Sequence, residues 1–548
     1  MHSKTSREVS LRSSEIRNFF RTTVSKEVVT QFLCDIEIEV DRIQTDIYAL
    51  ENRRDRLKGM ARLYRSLLSP IYTIPQEILT RIFTFCCQEN VLSPLSAPEV
   101  IQISMVCGRW RDIVFSSPAL WSSITIDFGE WHDQSDILDR LVNRFLRNSQ
   151  EAPLHLLLDF PGVELGEPGE EVVVDAQAEP ITTEAIDPQS HTLAKLVGVC
   201  ERWREVSFAI VNEPFFSFDI LRPVCGRLHA LESLTLRVYD AMESESDWQK
   251  SFLELLDHCP SLRSLCISDP YLLEPGNMGF AWHKITTLHL LHGYNVQAFP
   301  VIALCREVER LELSAVGGLS HNDEDYMGHV DSERITSLAI KRMEGPEHLD
   351  DVLRHLTLKN LSSVKICGET EMDWITWDNC HFHDFLLRSG CAITSLHLQA
   401  FPVSDLQTIS LLKMTPTLES LCIVESSGQC NNRIVTRRFL KAIAISTWFT
   451  SPSFVPPLPR LTRLKLVAQS NDIDPRCLLR LLSSRWLPKP IDAAEVGIEC
   501  LRVVEIVVLT GLDDLKEKPL DCLRCFRNAG MRLSVTYGKA SEFYEDGR

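Results

Sequence analysis

A short apolar pattern recurs along the C-terminal part of the chain. An apolar residue is followed by two mostly polar residues, an apolar residue, any residue and a further apolar residue. Alternation of this kind is typical of a β-strand with one buried face. Ten copies occupy residues 231–236, 262–267, 285–290, 308–313, 335–340, 361–366, 393–398, 418–423, 461–466 and, less cleanly, 501–506.

The spacing of these copies indicates a repeat. Leu-Glu-Ser-Leu occurs at both 231 and 418, Ile-Thr-Ser-Leu occurs at both 335 and 393, and most intervals are in the mid-twenties or low thirties. This period is close to that of leucine-rich repeats. Helix-like runs before proline turns, at 252–256 and 406–414, complete the unit. The sequence therefore predicts an α/β solenoid with a parallel sheet, although the Asn or Cys that usually follows the strand is missing.

A second pattern lies near the N-terminus, where residues 31–68 are predicted to form a helix. Apolar residues alternate at spacings of three and four, with Arg54 and Ala61 at the two weak positions. This spacing predicts a coiled coil, and with it a homodimer through residues 33–64. The alternative is a single amphipathic helix that packs on the next domain. Residues 1–30 are predicted to be disordered. The apolar positions are Leu33, Ile36, Val40, Ile43, Ile47, Leu50, Leu57 and Tyr64.

Between these two regions the pattern predicts a small helical module. A helix begins near Thr73, Pro75 and Gln76, and its apolar positions cover two sides, which suggests a partner on one of them. A second helical run begins at Ser96 and ends before Pro118, and a short strand is predicted at 124–126. The apolar positions of the two runs are Ile78, Leu79, Ile82, Phe83, Ile103, Val106, Trp110, Ile113 and Val114.

Four motifs in this module resemble the F-box family. They are Ile-Pro-Gln-Glu-Ile-Leu at 74–79, Ile-Phe at 82–83, Val-Cys-Gly-Arg-Trp at 106–110 and Pro-Ala-Leu-Trp at 118–121. Their order and spacing match over about fifty residues. The family usually has Leu where Ile74 stands, and the loop at 88–97 is longer than in many members. Exchanging Leu for Ile hardly changes the side-chain volume, and lengthening a loop costs little free energy.

The resemblance implies an F-box at 70–122 that binds a Skp family adaptor and, through it, cullin and RING subunits. The chain would then be the receptor that brings a protein substrate, of unknown identity, to a ubiquitin ligase for degradation. The adaptor-binding residues it implies are Ile74, Pro75, Ile78, Leu79, Ile82, Phe83, Val106, Cys107, Trp110, Leu120 and Trp121.

In such proteins the repeats, here residues 123–545, capture the substrate. Residues that flank the two core leucines of a strand point away from the core, so these positions are candidates for substrate contact. They are Ser233, Thr235, Arg237, His289, Glu312, Lys365, His397 and Lys465.

Composition and charge limit the classes of partner and the cellular compartments that the sequence predicts. The formal charge of −18 disfavours binding to nucleic acid, and much of the acidity lies in a predicted insertion at 164–189. No apolar run is long enough to cross a membrane, and the N-terminus lacks the apolar core of a secretory signal. The 18 cysteines are therefore predicted to be reduced thiols in a cytoplasmic or nuclear protein.

The sequence carries no recognised catalytic motif, so no enzyme activity and no cofactor are predicted. Cys522 with Cys525, and Cys380 with His381 and His383, have ligand-like spacing but too few ligands for a zinc site, so no metal is predicted. Two alternatives to the ligase receptor stay open. One is an adaptor-binding structural or scaffold protein without a ligase role, and the other is a cysteine-dependent enzyme, which would need a thiol of low pKa.

Overall fold

A computed structural model describes most of the 548 residues. The described residues are 26–131, 134–160, 188–211, 218–239, 259–268, 282–291, 295–314, 328–343, 346–368, 380–401, 403–425, 433–445, 456–469, 473–509 and 520–538. The run at 252–256, most of the predicted disordered segment and nearly all of the predicted acidic insertion are outside them. The chain divides into two compact units, residues 1–82 and 83–548.

The first unit is dominated by one long helix, α1 (Lys26–Leu67), which covers the segment predicted as helix or coiled coil. Its apolar side chains from Val28 to Tyr64 are exposed, including all eight of the predicted heptad positions. A 3-10 turn follows at Pro70–Thr73, and helix α2 (Gln76–Cys86) then begins. The start of α2 agrees with the position predicted from Pro75 and Gln76.

Helices α3 (Glu99–Val106) and α4 (Gly108–Ser116) follow in the second unit. The sequence predicted a single helical run here, but Cys107 is extended, with φ −160° and ψ 169°, and therefore separates two helices. The later helices are α5 (Ser135–Ser149), α6 (Pro188–Gly198), α7 (Asn295–Leu304), α8 (Pro346–Arg354), α9 (Cys380–Ser389), α10 (Asp405–Lys413), α11 (Arg437–Ile443), α12 (Pro475–Arg485), α13 (Pro490–Val496) and α14 (Arg524–Asn528).

Within the described ranges, a parallel sheet of 15 strands forms the core of the second unit, and its strands are ordered almost as in the sequence. A separate pair, β9 (Val330–Ser332) and β11 (Leu356–Leu358), is also parallel. The large sheet contains β1 (Val91–Leu92), β2 (Ser123–Asp127), β3 (Leu154–Phe160), β4 (Trp203–Val211), β5 (Ser233–Tyr239), β6 (Ser264–Ile267), β7 (Thr287–Leu291), β8 (Arg310–Ser314), β10 (Ser337–Met343), β12 (Ser363–Gly368), β13 (Ser395–Gln399), β14 (Ser420–Val424), β15 (Arg463–Gln469), β16 (Val503–Leu509) and β17 (Arg532–Gly538).

Each of the ten predicted copies coincides with one strand of this sheet. The second apolar residue of each copy pairs in register with that of the next, as in Leu234 with Leu265 and Leu396 with Leu421. These residues are buried, because stacking parallel strands places every second side chain in one continuous core. The predicted fold class, an α/β solenoid-like fold after N-terminal helices, is confirmed.

The sheet is wider than the repeat pattern predicted. Strands β3, β4 and β17 lack a clean copy of the pattern, and β1 arises from the loop at 88–97. Since β1 pairs with β2, the sheet begins inside the segment that was predicted to be only the F-box.

Two arginines connect successive helices through backbone carbonyls. Arg388 in α9 donates to the carbonyl of Leu353, near the end of α8, and to that of Leu356, the first residue of β11. Arg485 in α12 is fully buried and donates to Ile443, at the end of α11, and to Leu458. A helix C-terminus leaves carbonyls without partners, and a guanidinium satisfies several of them at once.

Candidate protein-interaction surfaces

Helix α2 presents apolar side chains both to the core and to solvent. Leu79 and Phe83 are buried, whereas Ile78 and Ile82 expose 49% and 44% of their surface. Pro75 is exposed as well, and Ile74 is half-buried. A helix with one buried apolar side needs no second one for its own stability, so exposed isoleucines are available for a partner.

A buried amide holds the loop after α2 in place. The Asn90 side-chain amide contacts the carbonyl oxygens of Cys87, Leu120 and Ser123 at 3.3, 3.0 and 3.1 Å. Its oxygen accepts a hydrogen bond from the backbone N–H of Val100 at 3.0 Å. One side chain therefore connects the residue after α2, the second residue of α3 and the first residue of β2.

Aromatic packing fixes the remaining predicted adaptor residues. The Phe83 and Trp110 rings lie 4.7 Å apart between centroids. Trp121 is buried, donates from its indole N–H to the Val114 carbonyl at 3.0 Å and packs on Phe145. Leu120 is buried, Cys107 and Trp110 are half-buried, and Val106 is exposed.

The eleven predicted residues thus fall into two groups. Leu79, Phe83, Leu120 and Trp121 are in the core, while the others are at least partly accessible. The structure also exposes apolar residues that the sequence interpretation did not single out: Phe85, Leu95 and Met105. A sequence signal existed for Phe85, which follows Ile78 by seven residues, the distance of two helical turns.

Strand register brings six of the eight predicted substrate-binding residues into one row across the sheet. Thr235, Cys266, His289 and Glu312 are successive neighbours in this row. The same row continues through Lys365, His397 and Lys465. Ser233 and Arg237 lie two residues to either side of Thr235 on β5. Lys465 is exposed and the other seven are half-buried.

The surface changes character toward the C-terminal strands. Two residues beyond the central row, Val424, Val467 and Val507 are buried and cluster with Leu509. These positions share the strand face of Lys465 and were not predicted to be buried. The face is therefore apolar at this position on β14, β15 and β16, whereas β5 and β8 carry the polar Arg237 and Ser314 there.

Five side chains of the central region form a connected polar network. Cys266 Sγ lies 3.3 Å from His289 Nδ1, and His289 Nε2 lies 3.1 Å from a Glu312 oxygen. The same Glu312 oxygen contacts Lys341 Nζ at 2.5 Å, and Ser314 Oγ lies 2.9 Å from His289 Nε2. A row of Cys, His and Glu has the order of a thiol-based catalytic site, so its protonation decides what it can do.

Burial sets the protonation of this network. It raises the pKa of the Cys266 thiol to about 11 and lowers the pKa of His289 to about 4. At neutral pH the thiol is therefore protonated and able to donate to His289 Nδ1, which leaves the Nε2 hydrogen for Glu312. A thiol nucleophile requires the opposite shift. The protonation states of this network therefore fit a polar surface better than the catalytic site of a cysteine-dependent enzyme.

The two clusters with metal-like spacing have other contacts. Cys525 Sγ lies 3.3 Å from the Cys522 carbonyl oxygen, and His381 contacts Arg354 at 3.1 Å. In the part of the chain that the structure describes, no three His, Cys, Asp or Glu side chains are arranged to hold a metal ion.

Comparison with known families identifies one domain. Residues 71–127 match the F-box-like family model, and they comprise α2, α3, α4, β1 and β2. F-box-like domains are typically adaptor-binding modules without catalytic activity. The match covers about a tenth of the 548 residues. No curated protein matches the chain.

None of the helices in the described ranges has the length and apolar character needed to span a bilayer.

Proposed function

We propose that this protein is the substrate receptor of a Skp-cullin-F-box ubiquitin ligase, active in the cytoplasm or the nucleus. The observation that carries the proposal is an F-box-like domain at residues 71–127 whose first helix exposes Ile78 and Ile82. Exposed aliphatic residues on a helix are the usual anchors of helix-in-groove recognition. Their burial against an adaptor contributes roughly 25 cal/mol per Å² of apolar area.

Buried and exposed members of the predicted adaptor set have different roles in this proposal. Ile74, Pro75, Ile78, Ile82, Val106, Cys107 and Trp110 contact the adaptor, and the buried Leu79, Phe83, Leu120 and Trp121 support the domain that presents them. Substitution of a contact residue then removes binding without unfolding the domain. Substitution of a supporting residue lowers stability first.

Co-purification with a Skp family adaptor tests this assignment. Ile78→Asp or Ile82→Asp should abolish adaptor binding, because a charge in a desolvated apolar contact costs several kcal/mol. Arg81→Asp is a matched control, since it adds an acid to the same helix at an exposed polar position and should retain binding. Full binding by both isoleucine variants would refute the adaptor assignment.

The ligase role is separate from adaptor binding. A substrate receptor should retain cullin and RING subunits when the adaptor is captured, and its targets should accumulate when the proteasome is inhibited. A scaffold F-box protein without a ligase role would retain the adaptor but show no such targets. Neither function requires a catalytic residue in this chain.

The polar face of the sheet is the proposed target-binding surface. It contains a charged row, and Lys465 and Glu505 lie 3.7 Å apart in it. Exchanging these two charges in Lys465→Glu/Glu505→Lys preserves their local attraction but reverses the pattern that a partner meets. We expect the double variant to change which proteins co-purify while adaptor affinity is unchanged.

A matched control for this exchange lies away from the strands. Lys413→Glu reverses a charge on the exposed side of helix α10 and should leave the captured proteins as they are. Loss of adaptor binding in the strand-face variant, or an unchanged set of captured proteins, would contradict the assignment of this surface.

Helix α1 is proposed to join two copies of the chain. Its heptad positions from Leu33 to Tyr64 are apolar and exposed, which is the sequence and surface of a coiled-coil strand. Light scattering should then give twice the chain mass of 62.4 kDa. Deletion of residues 30–66 should return a monomer.

A further inference from the structure

The charges of helix α1 are divided between its two halves. Residues 26–51 carry seven acidic and two basic side chains, a net charge of −5. Residues 52–67 carry one acidic and six basic side chains, a net charge of +5. If a second copy pairs along the heptad positions, each half of α1 therefore lies beside either the acidic half or the basic half of the second helix, depending on the orientation of that helix.

The helix macrodipole does not account for this division. It favours acids in the first turn and bases in the last turn, and its influence falls off within those turns. The acidic residues of α1 continue over more than twenty residues, from Glu27 to Glu51. The division therefore concerns what lies beside the helix along its whole length.

A parallel pair would place like charges together. With Leu33 and Val40 at position a, Asp46 falls at position g and would face Glu51 of the second copy at position e. Arg53 and Lys58 would be opposed in the same way. In addition, Arg54 occupies a core position a, where it would face Arg54 of the second copy.

An antiparallel pair reverses each of these contacts. Pairing Ile47 with Leu50 of the second copy continues the apolar layers in both directions, and Arg54 then faces Ile43. Positions g face each other in this orientation, so that Asp46 lies beside Arg53 of the second copy. Glu37 comes within the basic half of the other helix.

From this complementarity we infer that two copies of the protein associate through α1 in the antiparallel orientation. The inference rests on the homodimer proposed above and adds its geometry. Over the roughly 47 Å from residue 33 to residue 64, at 1.5 Å per residue, the acidic half of each helix lies along the basic half of the other. The two F-box-like domains, which follow α1 in the sequence, are then attached at opposite ends of the pair.

Charge reversal at Asp46 distinguishes the two orientations in the full-length protein. In the antiparallel pair, Asp46→Arg replaces two attractive contacts with two repulsive ones and should raise the dimer Kd roughly tenfold. The double variant Asp46→Arg/Arg53→Asp restores them and should return the Kd to near the original value. In a parallel pair both variants would tighten the dimer.

The control substitution is Asp41→Arg. It makes the same change of net charge at heptad position b, outside the contact, and should change the Kd less than about twofold. Sedimentation equilibrium at several protein concentrations measures all of these values. A monomeric unsubstituted chain would refute the homodimer itself, whereas a dimer that tightens with Asp46→Arg would refute only the orientation.

A photo-crosslinker at Phe32 gives a readout independent of charge. In the antiparallel pair it should attach to residues 58–67 of the second copy, and in a parallel pair to residues near 32–37. Mass spectrometry of the cross-linked peptides identifies the site. Crosslinks confined to the N-terminal region of the second copy would overturn the antiparallel arrangement.

Discussion

Removal of the Asn90 amide should destabilise the F-box-like domain by a large and specific amount. Asn90 is fully buried, and its side chain contacts three carbonyls and one backbone N–H. In Asn90→Ala the Val100 N–H loses its partner in a buried site, which costs about 1–3 kcal/mol. The two amide hydrogens shared by the carbonyls contribute about 1 kcal/mol each. We expect a total loss of about 3–5 kcal/mol, a large part of the stability of an ordinary domain.

Two variants refine this expectation. Asn90→Asp keeps the oxygen that accepts from Val100 but directs a carboxylate toward the carbonyl of Leu120, so at neutral pH it should be at least as damaging as alanine. Protonation of that carboxyl group provides one donor. The Asp variant should therefore recover part of its stability as the pH falls. Glu89→Ala, at the exposed neighbour, is the control.

Urea unfolding followed by tryptophan fluorescence measures the loss, because Trp110, Trp121 and Trp131 all lie in or beside this domain. Hydrogen exchange at the Val100 amide measures it locally, and that amide should lose protection in Asn90→Ala before the strands β12 to β16 do. Adaptor binding should weaken together with stability. An Asn90→Ala protein within 0.5 kcal/mol of the original, with Val100 still protected, would refute the reasoning.

Two further predictions concern buried charged and titratable groups. Arg485→Lys keeps the charge but cannot donate to the carbonyls of Ile443 and Leu458 at the same time. It should lower the unfolding free energy of the C-terminal strands by about 2–4 kcal/mol, measured by hydrogen exchange. Hydrogen-exchange protection equal to that of the unsubstituted protein would contradict this role. His289 has a folded-state pKa of about 4 against an ordinary value of 6.5, so its contribution is present above pH 6.5 and is lost as the pH falls toward 4. His289→Gln should remove about 1–3 kcal/mol of the stability that is lost between pH 6.5 and pH 4, measured by thermal melting at a series of pH values. The control His283→Gln, at an exposed position, should leave this loss unchanged. If both variants lose stability equally with falling pH, His289 is excluded as the cause.

The sequence alone determined the elements whose signal is local. Alternating apolar residues in ten related phrases predicted ten strands, because a strand buries every second side chain whatever its neighbours are. The order of the motifs from Ile74 to Trp121 predicted the F-box-like domain. Pro75 and Gln76 predicted the start of α2, since a proline in the first turn costs no hydrogen bond.

Tertiary structure decided what depends on distant parts of the chain. Cys266, His289 and Glu312 are more than twenty residues apart from one another in sequence, and only the parallel register brings them into contact. The burial of Asn90 and Arg485 depends on backbone carbonyls supplied by residues up to 33 and 42 positions away. Neither has a local pattern, because a single polar residue can lie in solvent or in the core with the same neighbours in sequence.

The same distinction separates the predicted adaptor residues. The helical period showed that Ile78, Leu79, Ile82 and Phe83 are apolar on two sides of α2, but it could not say which side is covered. Burial depends on which surfaces the rest of the fold supplies, and a pattern of apolar positions carries no information about them. Strand β1 was missed for a related reason. Two residues in a loop form a strand only because β2, more than thirty residues later in the sequence, provides the hydrogen-bonding edge.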